Sequence, residues 1–295
     1  MVLNNERSRV LVIGGTGHIG KHIVAASAHH GHLTSVHIRD VAPSDPAKMG
    51  LLRSFIENGV ALIKGDLFDH GSLVDAIRGA DIVISAVGPR QLTEQPRIVM
   101  AIKEAGNVKV RSSQLVAGSH VDPAATLYAS KLSLRRLIEA EGIPHTYVCC
   151  NGFAETYLPS IGDVTAVGAD PPSDKITVLG DGDAKGIRFK PSFTLNKILY
   201  MRPPANIVSH NELISMWESK AGRTFQIVRI LEADLLKLIK EAAFPLNILL
   251  SIALTIFVGG DQANFEIEPS FGGETTELYP DLKYTTVDEY LVRLL

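Results

Sequence analysis

The chain has 295 residues, 45% of them hydrophobic and 21% charged, with a formal net charge of −3. That length can bury a substantial core, and the composition is that of an ordinary globular protein rather than a disordered or fibrous one. Lys and Arg are scattered rather than clustered, so the basic patch that a phosphate backbone requires is missing and no nucleic-acid partner is expected.

In chain order, the amino terminus MVLNNERSRV is polar and shows no apolar signal segment. Short β-branched runs at 9–13, 35–39, 60–64 and 81–87 read as strands, and the amphipathic stretches 17–30, 48–58, 72–78 and 97–105 read as helices. A further helix is expected over 130–141, stopped by Gly142 and Pro144, before a strand ending at Cys150. Strand and helix alternating over short connections imply a doubly wound parallel sheet of the α/β class. The only cysteines, Cys149 and Cys150, are adjacent in an apolar run, which suits a buried strand in a reducing compartment.

Beyond a turn-rich connection, the remainder alternates less regularly. The expected division is a nucleotide-binding domain over 1–152 and a smaller substrate lobe over 153–295, some of whose segments return to the first domain. The most hydrophobic stretch, FPLNILLSIALTIFVGG at 244–260, contains Pro245 and Asn247 and falls short of the ~20 apolar residues of a membrane span. It reads as a core helix, no membrane partner is expected, and the location expected is cytoplasmic.

Directly after the first strand stands GGTGHIG, comprising Gly14, Gly15, Thr16, Gly17, His18, Ile19 and Gly20. A lone glycine triplet is a weak signal, but here it opens a helix in the first βα unit. Glycine there allows a tight turn and close backbone approach, and the free helix N–H groups can hold a pyrophosphate. The segment therefore reads as a Rossmann-like dinucleotide site rather than a bare turn. The second strand ends in Arg39, followed by Asp40, and Lys48 opens the next helix. An arginine at this point accommodates a 2′-phosphate, so two cations favour NADPH, with Asp40 pulling the other way. No metal is expected.

The blocks GGTGHIGKHIVAASAHHGH, KGDLFDHGSLVDAI, DIVISAVG, LRRLIEAEGIPHTYVCCNGF, NFEIEPSFG and ELYPDLKYTTVDEYL resemble the plant isoflavone reductase-like family of NmrA-type atypical short-chain dehydrogenase/reductases. The carboxy-terminal blocks resemble the phenylcoumaran benzylic ether reductases most. The resemblance implies hydride delivery from NADPH to phenylpropanoid-derived phenols, as in lignan biosynthesis, and a small phenolic substrate; a homodimer is compatible with it. It also implies that Arg39 and Lys48 bind the 2′-phosphate, that Ser85, Ala86 and Val87 lie along the cofactor, and that Asn151, Gly152 and Phe153 flank the nicotinamide. His120 and Phe153 are the substrate candidates.

The resemblance further points to Lys131 as the catalytic base. Ordinary short-chain dehydrogenases place three residues between their Tyr and Lys, whereas Tyr128 and Lys131 are separated by two, so Tyr128 is not assigned proton transfer. Two departures bear on activity. After Lys109 the chain reads VRSSQLVAGSHVDP in place of the family's aromatic Pro-Ser-Glu-Phe-Gly segment, and near Lys190 a short KPS stretch stands where the family carries about one helix. The reading is thus a phenylcoumaran benzylic ether reductase. An isoflavone or other lignan or flavonoid reductase is the enzymatic alternative, and a non-catalytic NmrA-like dinucleotide sensor the other.

Overall fold

The structure is a computed structural model describing residues 7–106, 109–114, 121–150, 154–167, 170–184, 195–261 and 267–295. The chain forms two compact units, Met1–Ser113 with Ser130–Tyr147, and Gln114–Ala129 with Val148–Leu295.

In the first unit β1 (Arg9–Ile13), α1 (Gly20–His29), β2 (Leu33–Ile38), α2 (Pro46–Glu57), β3 (Ala61–Lys64), α3 (His70–Arg78), β4 (Ile82–Ser85), α4 (Gln95–Ala105) and β5 (Lys109–Gln114) follow in order. Every pairing is parallel and the strands lie in the order β5-β4-β1-β2-β3, the doubly wound α/β sheet that the alternation predicts. Valines and isoleucines at alternate strand positions explain why it forms. Val10, Val12, Val36 and Ile38 present one face to Val24 of α1 and to Leu52 and Phe55 of α2. The intervening Leu11 and Ile13 are also fully buried, as are Leu73 and Ile77 of α3.

Helix starts are set by local chemistry. Asp45 caps α2, its Oδ1 accepting from the Ala47 and Lys48 N–H groups at 2.8 and 3.1 Å, with Pro46 in the first helical position. Asp69 caps α3 through the Ser72 N–H. The first helix begins at Gly20 rather than at the expected residue 17, because the Gly17 N–H turns back to the Gly14 carbonyl at 3.0 Å. The helix expected over 130–141 begins earlier, at Ala124. There Asp122 Oδ1 accepts from both the N–H and the hydroxyl of Thr126, and Pro123 precedes the first turn. This helix, α5 (Ala124–Ala140), passes from the second unit into the first, and β6 (His145–Cys150) passes back.

The second unit continues with α6 (Ala154–Tyr157), β7 (Lys175–Leu179), β8 (Lys197–Met201), α7 (His210–Ala221), β9 (Gln226–Ile230), α8 (Glu232–Glu241), α9 (Leu246–Ala253), β10 (Gly272–Glu274), α10 (Thr275–Leu278) and α11 (Val287–Val292). β7 pairs with β9 and β8 with β10, both in parallel. One cluster gathers Ile176, Val178, Leu213, Trp217, Phe225 and Leu291, and another packs α8 on α9 through Leu235, Ile239, Leu250 and Ala253. The hydrophobic stretch 244–260 thus enters this second core. Among the described residues no helix is long and apolar enough to cross a membrane.

Candidate functional site

The register of the first sheet brings four strand ends level. Ile13 of β1 pairs with Ser85 of β4, and β2 ends beside β3 with Ile38 opposite Lys64. The loops that follow these strands meet at one edge, where the strand order reverses between β1 and β4; such switch points form crevices in open α/β sheets. Here they enclose a groove of about 340 Å3. Gly14, Thr16 and Gly17 line it from the first loop, Arg39, Asp40 and Pro43 from the second, Asp66, Leu67 and Phe68 from the third, and Ala86, Val87 and Gly88 from the fourth. Lys48, Gln91 and Glu94 complete its margin.

The floor of the groove depends on glycine. Gly14 has φ +82°, and a Cβ there would lie 2.7 Å from the Ala86 carbonyl oxygen, so only glycine lets the first and fourth loops approach this closely. A Cβ at Gly20 would run into the Gly14 carbonyl. The turn delivers the chain into α1, whose start at Ile19 has no side-chain cap. The Lys21 and His22 N–H groups donate to the Gly17 and Ile19 carbonyls, each at 3.1 Å, and the positive end of the helix dipole favours an anion at this start. These features fit the pyrophosphate of a dinucleotide.

Arg39 directly follows β2 and Lys48 is the third residue of α2; both are exposed and both border the groove. Two cations bordering one groove suit a phosphate monoester. The carboxylate between them in sequence is turned into its own loop, where Asp40 Oδ1 accepts from the Ala42 N–H at 2.9 Å. That local bond engages one oxygen of the Asp40 carboxylate, which still borders the groove.

The structure brings Gly14, Thr16, Gly17, Arg39, Lys48, Ala86 and Val87 to one groove. Gly15 and Gly20 are buried in the turn beneath it, His18 is exposed, and Ile19 precedes α1. Ser85 is buried just behind Ala86 and donates from Oγ to Gln95 Oε1 at 3.0 Å. Lys131 is half-buried on α5 and does not border the groove, while Tyr128 is buried against Ala124 and Ile252. Asn151, Gly152, Phe153 and His120 lie outside the described residues, as do the shortened stretch near Lys190 and part of the altered segment after Lys109.

Sequence reasoning did not find the third wall. Asp66, Leu67 and Phe68 follow β3, and the motif KGDLFDH carried the signal, since a short strand ending in Gly-Asp places a turn at the same sheet edge. Nor did it find His37, which is buried beside this turn with Nε2 lacking a hydrogen-bond partner among the described residues. Burial lowers its pKa from the usual histidine value, opposed by Asp66 and Asp69.

A family model described as NmrA-like matches residues 6–291. The chain is 50% identical to the maize (Zea mays) isoflavone reductase homolog IRL, covering 99% of each chain. It is 51% identical to the phenylcoumaran benzylic ether reductase Pyrc5 of Pyrus communis, covering 97% of this chain and 98% of the other. The alignment with the maize relative spans 310 positions, more than the 295 residues of this chain, so that relative carries residues that this chain lacks. Among solved structures, a crystal structure of isoflavone reductase superposes with a TM-score of 0.90 at 37% identity, covering 98% of this chain and all of that one. A binary complex of leucoanthocyanidin reductase with NADPH from Vitis vinifera superposes at 0.85 and 30% identity, covering 97% and 99%. With a glycine-floored groove bordered by two cations and relatives matched along nearly their whole length, the chain belongs to the NmrA-like family and, within it, to the isoflavone reductase-like reductases.

Proposed function

We propose that the protein is an NADPH-dependent reductase of phenylpropanoid-derived phenols, and specifically of a phenylcoumaran benzylic ether. The observation that supports the cofactor reading is the groove itself, which is lined by Gly14, Thr16 and Gly17 of the glycine turn together with Arg39 and Lys48; on this reading the turn receives the pyrophosphate and the two cations the 2′-phosphate. The substrate reading rests on the 51% identity to a relative named a phenylcoumaran benzylic ether reductase. NADPH, when bound, supplies a hydride. Lys131 takes the substrate's phenolic proton, which lets the ether C–O bond break: its oxygen leaves as a phenolate within the same molecule, the resulting quinone methide accepts that hydride at its benzylic carbon, and the two phenolates take up the proton held by Lys131 and one from solvent. General-base catalysis of this kind contributes typically ~10²–10⁴-fold. The proposed division of labour gives nucleotide binding to the loops of the first unit and substrate contact to the lobe that follows it.

A second reading is favoured by one observation, that the maize relative carries residues absent from this chain. Under it the protein binds NADPH and reduces nothing, as a dinucleotide sensor. NADPH oxidation measured against a panel of phenylcoumaran, lignan and isoflavonoid substrates separates the two. Turnover of the phenylcoumaran is expected; turnover of an isoflavonoid alone reassigns the substrate, and binding without any turnover selects the sensor.

A further inference from the structure

We propose that Phe68, backed by Arg97, is the platform on which the purine ring of the dinucleotide stacks, an assignment that rests on the cofactor reading above. The phosphate that Arg39 and Lys48 would hold is attached to the ribose that also bears the adenine. The base must therefore lie within one sugar of those cations. The wall next to them is the turn after β3, and it ends in Phe68.

Phe68 is 63% exposed. Exposure of a single aromatic is ordinary, and Phe244 and Phe271 are as exposed, so exposure alone assigns nothing. Phe68 differs in three respects. It borders the groove. Its backbone is fixed, because Asp66 Oδ1 accepts from the Phe68 N–H at 2.9 Å while the adjacent Leu67 is buried. Its ring is also held by a cation, with the Arg97 guanidinium carbon 5.0 Å from the ring centroid.

Arg97 is oriented in turn by Glu94, whose Oε2 accepts from Arg97 Nε at 2.7 Å. Glu94 borders the groove and Arg97 does not. The guanidinium thus braces the ring from outside the groove, and a ring face remains for a planar ligand. An apolar ring fixed at both backbone and side chain gains nothing for folding from a face left in water. It suits an aromatic base, which stacks through its π-face whatever its edge carries.

The test is calorimetric titration of the full chain and its variants with NADPH and with NADH. Loss of a base-stacking ring typically weakens binding roughly 5- to 100-fold. Phe68→Ala is expected to weaken both cofactors by a common factor in that range, leaving the ratio of their affinities as it was, and Phe68→Trp is expected to retain binding. The thermal midpoint of Phe68→Ala should stay near that of the unaltered protein. Unchanged NADPH binding by Phe68→Ala overturns the proposal. So does a loss confined to NADPH, which would place the ring at the phosphate, or a loss that Phe68→Trp shares in full. Failure of the unaltered protein to bind either dinucleotide overturns the cofactor reading itself, and is distinguishable because no variant is needed to see it.

Discussion

Gly14 and Ala86 are held so close that a Cβ on the glycine would stand 2.7 Å from the alanine carbonyl oxygen. The contact joins the loops after β1 and β4, which pair with Ile13 opposite Ser85. Gly14→Ala must therefore push these loops apart while also adopting φ +82°, a left-handed backbone that costs an L-residue ~1–2 kcal/mol. The expected result is a stability loss of about 2 kcal/mol or more by chemical denaturation, together with weakened NADPH binding. Unchanged stability would show that the loops are not constrained as described.

On the proposed function, Arg39 and Lys48 set cofactor choice. Arg39→Ala removes a charge-assisted contact to the 2′-phosphate and is expected to weaken NADPH binding roughly ten- to hundredfold while leaving NADH nearly unchanged. Titration with both cofactors reads this directly. Equal affinities for the two in the unaltered protein would remove the role assigned to these cations.

The pH dependence of stability follows from two buried histidines. Burial lowers the pKa of His37, against the opposing charges of Asp66 and Asp69, and that of His210, whose Nε2 lies 2.8 Å from the Ile161 carbonyl, with Asp163 and Arg229 also acting on it. Above the unfolded value of about 6.5 both states are neutral at these sites and the histidines contribute no slope. As pH falls below 6.5 the unfolded chain takes up protons that the native chain refuses. Stability then declines by up to about 1.4 kcal/mol per pH unit for each histidine, until the native value is reached. Denaturant midpoints measured from pH 7.5 to 5 should show a shallower decline for His37→Gln than for the unaltered protein. Parallel declines would mean that His37 titrates alike in both states.

Much of this was legible in the sequence. The first strand runs over 9–13 as its β-branched residues require, and Gly14, Gly17, Arg39 and Lys48 reach the groove because a strand, a tight turn and a capped helix fix their positions locally. The starts of α2 at Pro46 and of α5 at Ala124, earlier than the expected 48 and 130, are set by Asp45-Pro46 and Asp122-Pro123, cap signals that the apolar periodicity does not contain. The third wall was harder to read. Asp66, Leu67 and Phe68 are neighbours of Arg39 only through the pairing of β2 with β3, and Gln91 and Glu94 enter from beyond β4. Spacing along the chain does not contain that register. Nor does it show that Asp40 bonds to the Ala42 N–H, which a sequence reader counts against NADPH.

The most direct measurement of the central claim is NADPH oxidation with a phenylcoumaran substrate by the unaltered protein and by Lys131→Ala, each with its NADPH affinity determined. The proposed function draws cofactor affinity from the glycine turn, Arg39 and Lys48, and Lys131 does not border that groove, so binding and chemistry should separate. The account predicts nearly equal NADPH affinities and a turnover lower in the variant by ~10²–10⁴-fold. Turnover unchanged by Lys131→Ala, or an unaltered protein that binds NADPH and leaves the phenylcoumaran intact, would contradict it.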